Sequence, residues 1–294
     1  MRLSPNELRS RAAALRQRLA SCDLCPHACG VDRARGEPGR CGAGASARVA
    51  SFGPHFGEES VLVGRGGSGT VFFSGCNLGC VFCQNWEISQ RREGTDLTDA
   101  ELAAIFFGIA RSGCANLNLV TPTHQASAIV AALALAVDGG FDLPIVWNCG
   151  GYESVEVLRL LDGIVDVYMP DLKFADDAVA ERLCIAANYV DASRSAVREM
   201  HRQVGDLTID EDGIARRGLL VRHLVLPEGL AGTQDVARFL ADEVSRDTFV
   251  NVMDQYRPCH RALEHHAIAR PTTRSEHASA KRMARDLGLH RFAE

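Results

Sequence analysis

The stretch SGCNLGCVFCQN contains three cysteines, Cys76, Cys80 and Cys83, within eight positions. Zinc modules commonly supply their thiolates as two pairs, and this C-x3-C-x2-C run does not have that spacing. A fully ligated 4Fe-4S cluster takes four thiolates, so three leave one iron open to a substrate or cofactor. A zinc site completed by a distant ligand, or merely buried thiols, are the alternatives, but the cysteines follow a predicted strand, where functional loops lie. The spacing therefore predicts a reactive iron-sulfur cluster.

A second group of four cysteines lies nearer the amino terminus. Cys22, Cys25, Cys29 and Cys41 are spaced C-x2-C-x3-C-x11-C, and four thiolates can close around one zinc ion or one fully ligated iron-sulfur cluster. Zinc would make this region a structural module, whereas an auxiliary cluster would relay electrons or bind substrate. Both metals accept four thiolates, so both interpretations stay open. The chain has eleven cysteines, and this odd number points to metal or redox chemistry before disulfides.

Polar residues follow three further predicted strands. TPTH at 121 to 124 follows LNLV, an asparagine follows PIVW, and an aspartate and a lysine follow VDVYM. Because the carboxyl ends of parallel strands meet at one edge of the fold, these side chains are expected to converge with the cysteines. The candidates are Thr121, Thr123, His124, Asn148, Asp171 and Lys173.

Lysine is rare in this chain. Lys173 and Lys281 are the two lysines among 32 basic residues. A compact, deprotonatable ammonium differs from a planar guanidinium, so we interpret Lys173 as a catalytic candidate together with Asp171. An ordinary solvated surface charge is the alternative for Lys173.

Short β-rich runs alternate with helical stretches from Thr70 onward. This alternation predicts βα units and a parallel sheet, and six strands indicate a partial (β/α)6 barrel, an α/β fold. The predicted strands are 70–73, 117–120, 144–147, 165–169, 219–226 and 248–253, and the predicted helices are 98–112, 125–137, 153–161, 175–186 and 232–244.

Residue composition and apolar spacing predict four regions along the chain. Residues 1–20 read as an amphipathic helix, because Leu8, Ala12, Leu15 and Leu19 recur at helical spacing after Ser4-Pro5 with Glu7 behind; an organelle transit peptide is the alternative. Residues 21–65, rich in Gly, Cys, Pro and Arg, suit a metal-held module of knuckle and hairpins. Residues 66–258 form the barrel, and residues 259–294 form a C-terminal tail with a helix packed on it.

Composition bears on partners and location. The formal net charge is -5 and the pI is about 6.1, so no basic excess favours a nucleic-acid partner. No run of eighteen apolar residues predicts a membrane span, and no leader with a cleavage site is evident. We therefore expect a cytoplasmic, soluble protein that binds neither nucleic acid nor membrane.

The cysteine loop resembles a known signature. C-x3-C-x2-C directly after the first barrel strand, with the aromatic Phe82 before the last cysteine, is similar to the signature of the radical S-adenosylmethionine (SAM) superfamily. From about Gly66 to Pro258 the chain resembles the activating enzymes of glycyl-radical enzymes, typified by pyruvate formate-lyase activase. The matching stretches are GGSGTVFFSGCNLGCVFCQN, MPDLK at 169–173 and LVRHLVLPEG at 220–229, and CxxCPHxC, VASFGPHFGEES, TPTH and MDQY look most like a poorly characterised activase-like branch.

The resemblance implies cofactors and a role for each matching residue. The open iron would bind the amino and carboxylate groups of SAM, and an electron from the reduced cluster would split the sulfonium to give a deoxyadenosyl radical. The electron would come from a donor such as flavodoxin or ferredoxin, and the chain would be a monomer. Cys76, Cys80 and Cys83 would ligate the cluster, and Phe82 would lie against the adenine of SAM. Asp171 and Asn148 would stand near its ribose and carboxylate, together with a monovalent cation. Arg222 would also contact SAM.

One stretch departs from the family pattern. The family's Gly-Gly-Glu, which helps to hold the SAM amino group, is replaced by TPTHQ at 121–125. Thr121, Thr123, main-chain carbonyls and a neutral His124 offer acceptors for that ammonium. A helix start with Thr123 near the N-cap is the alternative and does not exclude the first interpretation.

Three functions follow. The first is an activase that abstracts hydrogen from a glycine of a partner protein, and the second is a radical enzyme acting on another peptide or a small molecule. The third is a non-catalytic iron-sulfur or zinc protein. A large partner needs an open barrel mouth and a small substrate a closed one.

Some motifs predict less. GRGGSG at 64–69 precedes a strand instead of following one, so it is not a dinucleotide fingerprint. We expect His260, His265 and His266 in a solvated loop and Cys114 and Cys184 as small buried residues. Asp254, Gln255 and Tyr256 end the sixth strand and are candidates to face the substrate.

Overall fold

A computed structural model describes residues 3–293 of the chain. Its strands form one predominantly parallel sheet, extended at one edge by two antiparallel strands, and one further short strand pairs antiparallel with a parallel strand outside the main order. In this part of the chain the strands are β1 (Ala47–His55), β2 (Ser68–Phe73), β3 (Thr95–Leu97), β4 (Leu117–Val120), β5 (Ile145–Cys149), β6 (Val167–Pro170), β7 (Thr208–Ile209), β8 (Ala215–Leu224), β9 (Phe249–Met253) and β10 (Arg291–Phe292).

The parallel strands lie side by side in chain order. The order is β2-β4-β5-β6-β8-β9, with Leu117 opposite Gly69 on one side and Ile145 on the other. A doubly wound sheet would reverse direction at a switch point, and this sheet does not. The predicted α/β partial (β/α)6 barrel is therefore confirmed, and β10 adds a short parallel strand beside β9.

Helices occupy the connections between the parallel strands. All five predicted barrel helices are present, and α4 begins at a capping box in which Thr98 and Glu101 bond each other's backbone N–H. The helix bounds are α1 Pro5–Gln17, α2 Ser60–Val63, α3 Trp86–Ser89, α4 Asp99–Arg111, α5 Ala126–Asp138, α6 Val155–Leu161, α7 Asp177–Cys184, α8 Tyr189–Val204, α9 Thr233–Phe239 and α10 Arg274–Asp286, and α9 continues as a π turn to Val244.

The N-terminal helix forms as the sequence predicts. Its N-cap Ser4 and N3 residue Glu7 make a capping box, with Pro5 in the first turn. The apolar stripe of α1 is buried against α5 of the barrel, so the helix shares the main core. Residues 1 and 2 of the predicted span lie outside the described residues.

Strand β1 was not among the predicted strands. It lies inside the cysteine-rich region, runs antiparallel to β2, and pairs Val49 with Phe73 and His55 with Ser68. The segment that follows β1 therefore crosses the amino-terminal end of β2, opposite the cysteine loop. The region 21–65 contributes a strand to the barrel sheet as well as the cysteine module.

The two faces of the sheet differ in polarity. The outer face is apolar and packs under the helices, with Leu117, Leu119 and Trp147 buried there. Inner and outer positions alternate along each strand, and the inner face combines polar side chains with a smaller apolar cluster that includes Val146, Val167 and Met169. Asn118 and Asn148 occupy inner positions, and the inner face of the sheet lines an open cavity.

The C-terminal helix packs on the barrel as predicted. Helix α10 contacts α9 and β9 and begins at a capping box between Thr273 and Glu276. None of the helices in the described residues has the length and apolar character needed to span a membrane.

Candidate functional site

The three predicted cluster cysteines lie on one loop at the carboxyl end of β2. The loop is held by α7, because the backbone N–H groups of Gly79 and Val81 donate to the carbonyl oxygens of Cys184 and Leu183, at 3.0 and 2.9 Å. These carbonyls belong to the last turn of α7, which has no intrahelical donors left for them. A helix end about 100 residues later thus fixes the cysteine loop.

The sulfur atoms on this loop have separate partners. Cys80 Sγ lies 2.9 Å from Cys184 Sγ, and Cys83 Sγ lies 3.2 Å from the Ser89 hydroxyl oxygen. Among residues 3–293, no three His, Cys, Asp or Glu side chains are arranged as they stand to hold an ion. Ligation of a cluster therefore requires rotation of these thiols about χ1 toward a common centre.

The charge around the loop suits thiolate ligands. Burial raises the pKa of the Cys76 and Cys83 thiols, and the neighbouring Cys80 raises both further. The contact with Cys184 lowers the pKa of Cys80. The ammonium of Lys173 lowers the pKa of all three cysteines. The donor set, three thiols beside one buried cation, fits an anionic iron-sulfur cluster.

Four predicted residues form one hydrogen-bonded network on the inner face. Arg222 Nε donates to Asp171 at 2.9 Å, and its Nη2 donates to Asn148 Oδ1 at 2.7 Å. Lys173 Nζ donates to the other Asp171 oxygen. Although burial alone would raise it, Arg222 and Lys173 hold the pKa of Asp171 below its ordinary value. The network places strands β5, β6 and β8 in a fixed relation beside the cysteine loop.

Tyr189 fixes the strand ends that carry this network. Its single hydroxyl proton is shared between the carbonyl oxygens of Gly150 and Asp171, at 3.0 and 2.9 Å, and its oxygen accepts from the backbone N–H of Lys173 at 2.9 Å. One α8 side chain therefore links the loop after β5 to the loop after β6.

Phe82 is buried between other aromatic rings. It lies edge-on to Phe174 and Tyr256, with ring centroids 6.2 and 5.9 Å apart. The expected contact with adenine stays a prediction, and these rings fix the orientation that Phe82 brings to it.

The TPTHQ stretch divides between two environments. Thr121, with φ of 59°, stays half-buried at the end of β4, and its N–H donates to the Asn148 carbonyl at 2.8 Å. Thr123 and His124 are buried, and they bond Glu153 and the Ser74 carbonyl. Burial lowers the pKa of His124 to about 4, so the ring is neutral.

These contacts bear on two expectations for the TPTHQ stretch. The Thr123 hydroxyl is engaged with Glu153, and His124 donates from Nε2 to the Ser74 carbonyl, which leaves its buried Nδ1 without a partner. Thr121, His124 Nδ1 and main-chain carbonyls are therefore the acceptors left for a SAM ammonium. The alternative of a helix start is present, because a 3-10 turn over Thr123–Gln125 leads directly into α5. Gln125 is the N-cap of α5, however, and the Thr123 hydroxyl donates to Glu153 instead of capping the helix.

Glu153 is a buried carboxylate that the sequence did not single out. It is 2% exposed and accepts hydrogen bonds from the Thr123 hydroxyl and Trp147 Nε1. Burial raises its pKa to about 7. Glu153 is the first residue of the predicted helix 153–161, directly after GGY, and a lone glutamate at a helix start carries no signal of burial.

Arg33 is a buried cation that the sequence also did not single out. It is 2% exposed, and its guanidinium donates to the Gly44 carbonyl and, at 2.8 Å, to the His124 carbonyl. Its Nη1 also lies 3.6 Å from Cys22 Sγ. Arg33 therefore joins the N-terminal cysteines to the turn that precedes α5.

The four N-terminal cysteines lie close together in space. The charges of Cys22 and Cys41 raise the pKa of Cys25, after burial as the main cause, and the charges of Cys22 and Cys29 act in the same sense on Cys41. This mutual repulsion of thiolates is the condition that a bound metal cation relieves, so the donor set fits either zinc or a cluster.

The N-terminal module lies directly against the cysteine loop. A Cβ at Gly75, which has φ of 82°, would lie 2.6 Å from the Cys41 carbonyl oxygen, and His27 Nε2 lies 2.8 Å from the Asn77 carbonyl. Only glycine fits such an approach at positive φ. The two cysteine groups are thus neighbours across one backbone contact.

A cavity of about 1070 Å³ lies along the inner face of the sheet. Strands β2, β4, β5, β8 and β9 all contribute to its wall, and Asn148 and Arg222 of the network face it. Gln84 and Asn85, directly after the cysteine loop, line the same cavity. Space for a substrate therefore connects to the predicted cluster loop.

The three residues after β9 have different positions. Gln255 lines the cavity, as the expectation of a substrate-facing residue requires. Tyr256 is buried under Phe82, and Asp254 is 68% exposed near His277.

The remaining histidines and cysteines are only partly as expected. Cys114 and Cys184 are buried, as predicted. The expected solvated loop is wrong for His260, which is half-buried, stacks on Trp86 with ring centroids 5.3 Å apart and bonds Gln90. His265 is half-buried and His266 is exposed.

Comparison with known proteins gives a family and a relative. The family model described as Radical SAM superfamily matches residues 70–210. The chain is 33% identical over 297 aligned positions to the uncharacterized protein MJ0674 of Methanocaldococcus jannaschii, covering 98% of this chain and 81% of that protein.

Two solved structures are also similar in part. Streptococcus suis SuiB bound to precursor peptide SuiA has a TM-score of 0.50 at 10% identity, over 74% of this chain and 46% of SuiB. A domain of pyruvate-formate lyase-activating enzyme from Bacteroides vulgatus has a TM-score of 0.38 at 14% identity, over 66% of this chain and 89% of that domain.

Proposed function

The chain belongs to the radical SAM superfamily, and from this we propose that it is an enzyme whose Cys76, Cys80 and Cys83 hold a 4Fe-4S cluster beside S-adenosylmethionine. When bound, the two cofactors supply a hydrogen-abstracting radical. The protein contributes orientation, charge and exclusion of water. The observation that carries the proposal is the meeting of the cysteine loop with the network of Asp171 and Lys173 at the carboxyl ends of adjacent strands.

Each network residue has a proposed task. Lys173 places a cation beside the three thiols, where it favours their thiolate forms. Asp171 holds Lys173 in that position, and Arg222 holds Asp171. Asn148, Asp171, Arg222, Thr121 and Phe82 are proposed to hold SAM. A monovalent cation at Asp171 would share the carboxylate with Lys173 and Arg222, each of which donates to one of its oxygens.

The proposed substrate is a peptide segment of a protein, with hydrogen abstraction from a partner's glycine as the activase-like case. The cavity is open along one side of the barrel and is at the upper end of small-molecule pockets, about 300 to 1,000 Å³. Phe56, which is 64% exposed, lines this cavity and offers apolar contact to a partner. The solved SuiB structure, which has a similar fold, is bound to a precursor peptide. Modification of another peptide or a small molecule is the second candidate.

The four N-terminal cysteines are proposed to hold one metal centre, zinc or an auxiliary cluster. Metal analysis separates the two, because replacing Cys22, Cys25, Cys29 and Cys41 by alanine would remove about one zinc or about four iron atoms per chain. The close approach of Cys41 to Gly75 places that centre beside the cluster loop.

The test is formation of deoxyadenosine by anaerobically reconstituted, reduced protein given SAM. The Cys76→Ala, Cys80→Ala, Cys83→Ala variant should form none, and Cys114→Ala, which changes a buried cysteine outside the loop, should match the wild type. Cleavage that persists in the triple variant would contradict the proposal. A cluster-loaded wild type that binds SAM but does not cleave it, with or without peptide, would favour the non-catalytic iron-sulfur protein.

A further inference from the structure

The cavity on the inner face of the sheet is acidic. Its lining includes the carboxylates of Glu58, Glu59 and Asp212, and the one guanidinium that faces it is that of Arg222. Arg222 already donates from Nε to Asp171 and from Nη2 to Asn148. The remaining basic side chain in the wall, His55, is exposed at the rim. The lining therefore has carboxylates in excess of its cations.

Two of these carboxylates are held in place by the backbone after β1. The segment 56–59 leads from the end of β1 across the amino-terminal end of the barrel, and α2 begins directly after it. Glu59 Oε1 accepts a hydrogen bond from Asn251 Nδ2 of β9 at 2.9 Å. This bond closes the gap between the segment and the last long parallel strand. Glu58 and Glu59 thus form the end of the cavity opposite the cysteine loop.

Hydrogen-bond acceptors at this end of the cavity lack donors. Glu59 Oε2 is buried and has no hydrogen-bond partner. Asn118, which is fully buried and lies against the Glu58 carboxylate, has an unpartnered Oδ1. A buried acceptor without a donor destabilises the folded state. Both atoms are acceptors, so the group that satisfies them must be a donor.

Charge points in the same direction. Burial raises the pKa of Glu58 and the neighbouring Glu59 adds to it, while Arg222 and His55 act against that rise. A cation between the two carboxylates would relieve both the repulsion and the loss of solvation. We name Glu58, Glu59 and Asn118 together the acidic floor.

We propose that the acidic floor binds an organic cation of the substrate, an ammonium or guanidinium such as a lysine or arginine side chain supplies. The cation would satisfy the unpaired oxygens of Glu59 and Asn118 and neutralise the carboxylate pair. The rest of the substrate would extend through the cavity toward Gln84 and Asn85, where the cysteine loop ends. The inference rests on the proposed function in taking this cavity as the substrate site.

Calorimetric titration of anaerobically reconstituted full-length protein at low salt tests the floor. The probes are N-acetyl-lysine N-methylamide, N-acetyl-arginine N-methylamide and the neutral N-acetyl-norleucine N-methylamide. We expect at least one cationic probe to bind at least tenfold more tightly than the norleucine probe, and the lysine and arginine arms distinguish an ammonium from a guanidinium. This comparison needs no variant to fold.

The variant Glu58→Gln, Glu59→Gln should lose at least tenfold in affinity for the cationic probe. The control Glu181→Gln, Glu211→Gln removes the same charge from exposed positions outside the cavity wall and should bind as the wild type does. The inference is overturned if the three probes bind alike, if none binds, or if the cationic probe binds the floor variant with full affinity. It is also overturned if potassium chloride, and no organic cation, gives saturable binding that the floor variant lacks.

The titration contains no SAM. Probe binding without any SAM cleavage would leave the acidic floor standing and count against the proposed function. Cleavage of SAM without probe binding would do the reverse, so the two failures are distinguishable.

Discussion

Lys173 is the residue whose chemistry the site depends on most. It is bonded to Asp171 and lies close enough to Cys76, Cys80 and Cys83 for its charge to favour their thiolates. Arginine keeps the charge but brings a planar fork to a place shaped for a compact ammonium. We therefore expect Lys173→Arg to lower SAM cleavage by about tenfold or more while iron content is unchanged.

The chain provides its own control for this substitution. Lys281, on α10 away from the network, is the other lysine, and Lys281→Arg should cleave SAM at the wild-type rate. Deoxyadenosine formation and iron per chain are measured on both variants. Equal rates in Lys173→Arg and wild type would remove Lys173 from the site.

Glu153 gives a prediction about pH. Burial raises its pKa from 4.5 to about 7, so the folded state holds a proton that the unfolded state has lost. Between these values the free energy of unfolding falls as pH rises, because the folded state binds more protons. The two pKa values differ by about 2.5, and each pKa unit corresponds to about 1.4 kcal/mol, so the free energy of unfolding should fall by about 3 kcal/mol over this range.

Glu153→Gln stays neutral at every pH, so its unfolding free energy should not show this loss. Urea denaturation at pH 4.5 and pH 8 measures the difference, and wild type should fall by more than the variant between the two. Glu181→Gln, exposed on α7, should fall as the wild type does. Identical pH dependence in Glu153→Gln and wild type would show that Glu153 is ionised in the folded protein without a penalty.

The sequence indicates residues whose role follows from position on a strand. Asn148 and Asp171 were expected near each other because each directly follows a predicted parallel strand, and Arg222 was expected beside them from the family resemblance; the three do form one network. Glu153 and Arg33 were not found, because their burial depends on partners 30 and 91 positions away, Thr123 and His124. No local pattern encodes such contacts.

At the scale of elements, periodicity predicted all six long parallel strands and one helix in each of the five intervals between them. Periodicity missed β1 for two reasons. Gly53 and Pro54 are unusual residues within a strand, and β1 pairs antiparallel with β2 through a connection rich in turn residues. The acidic floor depends on this missed strand, since β1 aims the segment that carries Glu58 and Glu59. Helix α8 was missed because the alternation assigned one helix to each interval, and this interval holds two.

Arg33 is the connection between two elements, the N-terminal cysteine module and the turn before α5. Arg33→Met would keep the length of the side chain but leave the carbonyls of Gly44 and His124 without donors, at a cost of about 2 to 3 kcal/mol. We expect the free energy of unfolding to fall by that amount and metal retention by the four N-terminal cysteines to weaken under a chelator.

Arg35, whose side chain is 87% exposed, supplies the control for Arg33. Arg35→Met should unfold and retain metal as the wild type does. Urea denaturation and iron and zinc per chain after chelation are the measurements. If Arg33→Met retained metal as the wild type does, metal binding by the N-terminal cysteines would not depend on the contact of Arg33 with the turn before α5.

At the scale of the whole molecule, the predicted boundaries divide the sequence but not the core. Leu8, Leu15 and Leu19 of the N-terminal helix belong to the same buried cluster as Leu133 of α5 and Trp147 of β5. Composition changes at residue 21 and again near 66, and this change marks where metal ligands are concentrated. Which apolar residues share a core depends on packing between α1 and α5, and a linear pattern does not contain that information.

A shared core predicts that damage to the N-terminal helix destabilises the barrel. Leu15 is fully buried, and Leu15→Ala should cost about 2 to 5 kcal/mol through lost transfer energy and the cavity that remains. Far-UV circular dichroism, which reports all helices, and the fluorescence of buried Trp147 should lose signal at the same lowered urea concentration, because one cooperative unit unfolds. Leu263→Ala, at a position 73% exposed, should leave both transitions where they are in the wild type. In the contrary outcome, the fluorescence transition of Leu15→Ala would stay at the wild-type midpoint while part of its helical signal was lost at lower urea. The N-terminal region would then fold apart from the barrel, and no common core would enforce the contact between the two cysteine groups.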